Sequence, residues 1–316
     1  MPSPSSALIS EVGPRDGLQS IRPVLDTELK KAWITAEAAA GVQEIEVGSF
    51  VPAKTLPQLA DTAEVVRFAR QIPGLTVAVL VPNLRGAQDA IQAGAHKITI
   101  PLSVSETHSL KNVRRTHAQM FEEVRGIAQA IAELPTDERP VLEGGLSTAF
   151  GCTLEGSISR DQVLWAAEGL LQAGCTEVGL SDTTGYADPR SVRQLTQAIW
   201  DRFGPEVLTG IHLHNTRGQG LACALAALET GLTTLDASLG GIGGCPFAPG
   251  ASGNIVTEDL VFMLEAMGVS TGIDLEALLD VRRSLRQWIP AEVELYGFTA
   301  DAGLPKGFRP APGVRA

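Results

Sequence analysis

Residues 230–239 read TGLTTLDASL. A small residue and a glycine stand before an apolar run long enough for one strand. The same signature recurs at Ala40-Gly41, Ala93-Gly94 and Ala173-Gly174. A glycine in that place ends a helix and lets the chain turn into a sheet. Working outward, apolar strand-like runs alternate with longer helical patterns, the layout of βα units around a parallel sheet. The spacing predicts eight strands, over 7–12, 44–48, 76–81, 97–101, 141–146, 177–180, 208–213 and 234–239. The small-Gly signature precedes every second one. That recurrence fits a closed (β/α)8 barrel, an α/β TIM barrel, better than an open sheet. No GxGxxG follows the first strand, which counts against a dinucleotide-binding fold.

The clearest helices are expected over 27–40, 111–134, 161–173, 189–203 and 257–267, the last capped by Thr257. A helix pair is expected near 274–289, followed by a Pro/Gly-rich surface tail. Residues 1–270 are read as the barrel, with 271–316 as C-terminal helices and tail packed on it in the same domain.

Composition narrows the function. The chain has 316 residues and a formal net charge of −11, with a sequence pI of about 5.0. No basic run is present, so a nucleic-acid role is disfavoured. No apolar run is long enough to span a bilayer. The N-terminal MPSPSSALIS lacks the apolar core of a signal peptide and the arginines of a transit peptide. The four cysteines form no CxxC pair, which argues against a disulfide framework or zinc ribbon. A cytoplasmic enzyme is the expectation.

In a (β/α)8 barrel the functional residues lie at the C-terminal ends of the strands. Strand one ends in EVGPRDGLQ (11–19). Arg15 and Asp16, just past a strand, suit an anion or enolate stabiliser beside a carboxylate ligand; alone, they also fit a turn with a surface salt bridge. Glu44 and Glu46 share one face of strand two. Arg15 is the obvious partner for Glu46, as a structural pair or in a catalytic role. On strand seven, His212 and His214 project to one side and could grip one metal ion. His96, His108 and His117 lack that geometry and read as surface or packing residues. Asp182, after strand six, could ligate, bind a substrate hydroxyl or cap the next helix. Asn254 offers a carbonyl oxygen to a hard cation. Asp16, His212, His214 and Asn254 make a thiolate-free O/N set suited to magnesium or manganese.

The most glycine-rich tract, LGGIGGCPFAPGASGNIVTE (239–258), cannot be helix or strand interior. It reads as a loop that closes over a ligand, with Cys245 as a catalytic thiol. Lys97 suggests a rival Schiff-base mechanism, but it opens its strand, at the wrong end of the barrel. Cys152 lies at the right end and could pair with another thiol or pack. Cys175 and Cys223 read as small buried hydrophobes.

GPRDGLQ (13–19), SFVPAK (49–54), PNLRG (82–86), HLH (212–214) and GGCPFAPGASGN (243–254) with TEDLVFMLE (257–265) resemble the 3-hydroxy-3-methylglutaryl-CoA lyase family of metal-dependent TIM-barrel lyases. The resemblance covers Glu11 to Gly268. It implies cleavage of a 3-hydroxyacyl-CoA to acetyl-CoA and a ketoacid. It implies Asp16, His212, His214 and Asn254 as ligands of a magnesium or manganese ion, Arg15 as enolate stabiliser and Cys245 as the thiol acid/base. Glu46 would hold the arginine, and Asp182 would serve the metal or hydroxyl side. Gln19, Asn83, Gly243 and Gly244 would bind substrate. A homodimer is implied by the resemblance alone. Related condensing enzymes run the opposite direction but lack the cysteine. Departures fall at Glu143 and Gly145, where an arginine and an aromatic are expected, at Ser181 and at Asn215. An acid at Glu143 is expected to reshape the pocket at the substrate's far end.

Overall fold

The computed structural model describes residues 4–244, 253–291, 293–298 and 303–312. Among them eight parallel strands close into one barrel, each paired with its neighbour in sequence and the last with the first. They are β1 (Leu8–Glu11), β2 (Glu44–Ser49), β3 (Thr76–Leu80), β4 (Lys97–Ser103), β5 (Val141–Ser147), β6 (Glu177–Asp182), β7 (Leu208–Leu213) and β8 (Thr234–Ala237). The fold is therefore the (β/α)8 barrel that the alternating pattern predicts.

The repeated glycines explain how the units are joined. Gly41, Gly94, Gly174 and Gly231 all have positive φ, between 91° and 117°. Gly94, Gly174 and Gly231 each cap the preceding helix in the left-handed conformation, where a side chain would be strained. Helices enclose the barrel, and the apolar core lies between their inner faces and the outward side chains of the strands. Ile45, Val77, Ile98, Leu146 and Leu180 are all completely or almost completely shielded.

The lumen is built differently. TIM-barrel interiors are ordinarily packed with branched aliphatic side chains. Here the inward residues include Ser10, Glu44, Lys97, Glu143, Gly145, Gly179, Gly210 and Asp236, and they line a cavity of about 740 Å³. The cavity extends from the loops beyond β2 and β4 down to Lys97.

Several boundaries differ from the sequence reading. The helix expected over 111–134 is two, Glu106–Asn112 and His117–Ala132. Thr116 restarts the chain with a reciprocal capping box to Gln119, which satisfies amides that would otherwise continue one helix. Near 274–289 there is one helix, Leu275–Trp288, capped by Asp274 and packed against the helix Thr27–Ala39. Thr257 does not cap its helix: Val256 holds that position, and the Thr257 hydroxyl donates to Glu11 instead. The tail is not purely surface. Ala311 is buried, its N–H donates to Glu265 Oε2 at 2.7 Å, and Phe308 stacks on Phe262. No helix of the described residues is long and apolar enough to cross a membrane.

Candidate metal centre and active site

After β1 the chain makes a tight π-helical turn, Gly13–Gly17, which carries Arg15 and Asp16. Both are buried, so this is no surface salt bridge. Arg15 Nε donates to Glu46 Oε2 at 2.5 Å, and Nη1 to Asp16 Oδ1 at 2.6 Å. Gln19 Nε2 donates to the same Asp16 oxygen at 2.6 Å. The arginine is thus held between two carboxylates and lines the cavity.

The ligating atoms of Asp16, His212 and His214 lie within 4.8 Å of one another. His212 and His214 place their Nε2 atoms 3.2 Å apart, as expected for strand residues two apart. Burial alone would raise the Asp16 carboxyl. The charges of Arg15, His212 and His214 and a hydrogen bond from Asn254 outweigh it and hold it at about 2. An ionised carboxylate beside two imidazoles is a fit donor set for a hard divalent cation.

Asn254 reaches this centre through backbone pairing, forming an antiparallel bridge with His214. Its Nδ2 donates to Asp16 Oδ2 at 2.7 Å and to the Ile242 carbonyl. Its Oδ1 is buried without a hydrogen-bond partner. A buried amide oxygen left unpaired is unfavourable unless something else binds it. A cation beside Asp16 supplies that partner, so the residues present fit a metal ion.

Three residues that the sequence reading passed over hold the centre together. Asp236 Oδ2 lies 3.2 Å from His212 Nδ1, the carboxylate–histidine support common at metal sites. Glu11 is completely buried and accepts from Gly13 N, Leu239 N and the Thr257 hydroxyl at 2.7, 2.9 and 2.6 Å. It joins the Arg15 turn to both ends of the glycine-rich tract. Glu258 accepts from Gly240 N and pairs with Arg282.

The remaining candidates separate. Asp182 uses its two oxygens to accept from Tyr186 N and Ala187 N at 2.8 and 3.1 Å. It caps that turn, one of the three roles its position left open, and is not among the residues that line the cavity. Asn83 borders the cavity, but its side-chain oxygen caps the helix Leu84–Ala93 by accepting from Gly86 N. Gly243 packs against the metal centre: a Cβ there would fall 2.4 Å from Asn254 Nδ2 and 2.8 Å from Asp16 Oδ2. Gly244 is half-buried. Cys245 lies outside the described residues. Cys152, Cys175 and Cys223 are buried, and burial pushes the Cys175 and Cys223 thiols up to about 12. His108, expected to be a packing residue, is buried, accepts or donates at Ser103 Oγ and borders the cavity.

Lys97 contacts Glu143, Glu177 and Glu44 at 2.5, 3.0 and 3.9 Å. Burial would lower its pKa, but these acids raise it well above the lysine range. Its three ion pairs and its place at the start of β4, away from the Asp16–His212–His214 centre, count against the Schiff-base alternative. Glu143 lines the cavity and pairs with Lys97 at the barrel floor.

The HMGL-like family model matches residues 7–285. The chain belongs to this family. Hydroxymethylglutaryl-CoA lyase YngG of Bacillus subtilis is 40% identical over 292 residues, 92% of this chain and 94% of the relative. A mouse cytoplasmic 3-hydroxy-3-methylglutaryl-CoA lyase is 40% identical over 88% of this chain and 79% of its own. An HMG-CoA lyase from Acinetobacter baumannii, solved with coenzyme A and 3-methylmalate, superposes with a TM-score of 0.89 at 40% identity and covers 98% of both chains. The HMGL-like membership agrees with the motifs at 13–19 and 212–214, which are the segments that build the centre.

Proposed function

We propose that the chain cleaves 3-hydroxy-3-methylglutaryl-CoA to acetyl-CoA and acetoacetate, using a magnesium or manganese ion. The observation that carries this is the buried Asp16–His212–His214 centre with Arg15 beside it at the C-terminal end of the barrel. Asp16, His212, His214 and the free Asn254 oxygen would hold the cation. A divalent cation in that place lowers the pKa of a C3 hydroxyl presented to it.

The chain's own residues account for the rest. Breaking the C2–C3 bond leaves the electron pair on C2 as the enolate of acetyl-CoA. Arg15, fixed by Glu46 and Asp16, presents a cation for the thioester oxygen where that charge develops. Its geometry is set before substrate arrives, so little reorganisation opposes the reaction. Cys245 would then donate a proton to C2, the role that the family resemblance implies for it. Gln19, Gly243 and Gly244 would contribute to the substrate's surroundings.

Incubation with 3-hydroxy-3-methylglutaryl-CoA and magnesium is expected to release acetyl-CoA and acetoacetate in equal amounts, and chelation to stop it. Metal-loaded protein that releases neither product would refute the reading. Cys245→Ala is expected to retain metal and lose most turnover; full turnover would remove the thiol from the mechanism.

A further inference from the structure

Two stretches of backbone, residues 238–244 and 253–258, are locked to each other beside the metal centre. Ser238 N donates to the Ile255 carbonyl at 3.0 Å, and Thr257 N to the Ser238 carbonyl at 3.1 Å. Asn254 Nδ2 donates to the Ile242 carbonyl at 3.2 Å. A Cβ on Gly253 would fall 1.7 Å from the Gly241 carbonyl oxygen, so the two backbones touch. The first stretch therefore helps to set where the Asn254 amide, with its unpaired Oδ1, points.

That first stretch is held from outside by the C-terminal part of the chain. Both backbone polar groups of Gly240 are engaged. Its N–H donates to the two Glu258 oxygens at 3.2 and 2.9 Å, and its carbonyl accepts from Tyr296 N at 2.8 Å. The helix Leu275–Trp288 supplies the anchors. Arg282 and Arg286 stand four residues apart, on one face of it. Arg282 pairs with the fully buried Glu258. Arg286 donates to the carbonyls of Ile289, Pro290 and Val293 at 3.2, 2.5 and 2.5 Å, which fixes the chain three residues before Tyr296. Phe298 N donates to Asp259 Oδ1 at 2.8 Å, closing the segment onto the helix Thr257–Ala266. Glu258 also feels the charges of Glu11 and Glu37. Without Arg282 it is a buried carboxylate that has lost its cation, a costly state, and a proton taken up there weakens its hold on Gly240 N.

We propose that Arg282, with the segment 293–298 anchored beside it, is a positioning element for the metal centre. It holds Gly240 in place and, through the two locked stretches, the Asn254 oxygen that faces the cation. This rests on the metal-centre reading above and adds to it residues outside the ligand set.

The test is manganese affinity, from titration followed by electron paramagnetic resonance, at a temperature where circular dichroism shows folded protein. Arg282→Met is expected to weaken binding about tenfold. Arg282→Lys, which keeps the charge, is expected to recover most of that loss. Asp259→Ala, which frees Phe298 N from its acceptor, is expected to give a smaller loss, and it decides alone where Arg282→Met does not fold. Thr271→Val is the control: it removes one hydrogen bond to Glu265 at the far end of the same helix and is expected to leave the affinity unchanged. Unchanged affinity in both Arg282→Met and Asp259→Ala would overturn the proposal, and so would an equal loss in Thr271→Val. Weakened manganese binding in these variants of a protein that releases no acetyl-CoA would refute the cleavage reading and leave the positioning role standing.

Discussion

Asp236 Oδ2 lies 3.2 Å from His212 Nδ1, and the two residues are paired across β7 and β8. This contact directs the other ring nitrogen of His212 toward His214 and Asp16. Burial would lower the His212 pKa, but the hydrogen bond and charge of Asp236, with Asp16, raise it. Asp236→Asn keeps the shape and weakens the orienting charge. It is expected to lower metal affinity about 10- to 100-fold, measured by competition with a fluorescent chelator. Unchanged affinity would show that His212 is oriented without it.

Glu11 joins three segments with one carboxylate. Glu11→Leu removes both acceptor oxygens and leaves the Gly13 and Leu239 N–H groups and the Thr257 hydroxyl without that partner. A loss of about 1–3 kcal/mol is expected for the unsatisfied buried groups, read from urea denaturation. Turnover should fall with it, because the Gly13 and Leu239 ends would no longer be fixed together. Stability equal to the unsubstituted protein would mean that the three hydrogen bonds contribute nothing net.

The same region makes stability depend on pH. Burial pushes the Glu11 carboxyl up to about 8, despite hydrogen bonds from Thr257, Leu239 and Gly13. Burial and the charge of Glu11 push Glu37 up as well, and its Oε2 has no partner. These groups keep protons in the fold that the unfolded chain releases near pH 4.5. Their contribution is complete below that pH and is lost as pH rises through about 8. The melting temperature is therefore expected to decline between pH 5.5 and 8.5, and Glu37→Gln to flatten the decline. A melting temperature that rises across that range in both proteins would contradict this.

Among the described residues, Lys97 is the one cation paired with Glu44, Glu143 and Glu177 at the barrel floor. Lys97→Met leaves those acids without their shared cation and is expected to destabilise the protein by about 3–5 kcal/mol. Lys97→Met with Glu143→Gln should recover part of the loss. No recovery in the double variant would separate the two residues energetically.

The barrel was legible because its signals are local. Each βα unit announces its own strand, and the glycines at 41, 94, 174 and 231 mark where helices end. Asp16, His212 and His214 were legible for a related reason: strand ends converge in this fold, and residues two apart share a face. What escaped depends on register. Asp236 sits alone in TTLDASL with no motif around it, and only the pairing of β7 with β8 puts it beside His212. Glu11 meets Leu239 and Thr257 across separations of 228 and 246 residues. The Glu143 ion pair escaped because its partner, Lys97, lies on the neighbouring strand, two positions out of register.

Manganese binding tests the metal centre most directly. Titration followed by electron paramagnetic resonance should show one tight site per chain in the unsubstituted protein. His212→Ala should lose that site while keeping the circular dichroism of the folded barrel. One tight site retained at unchanged affinity in His212→Ala would contradict the centre built on β1 and β7.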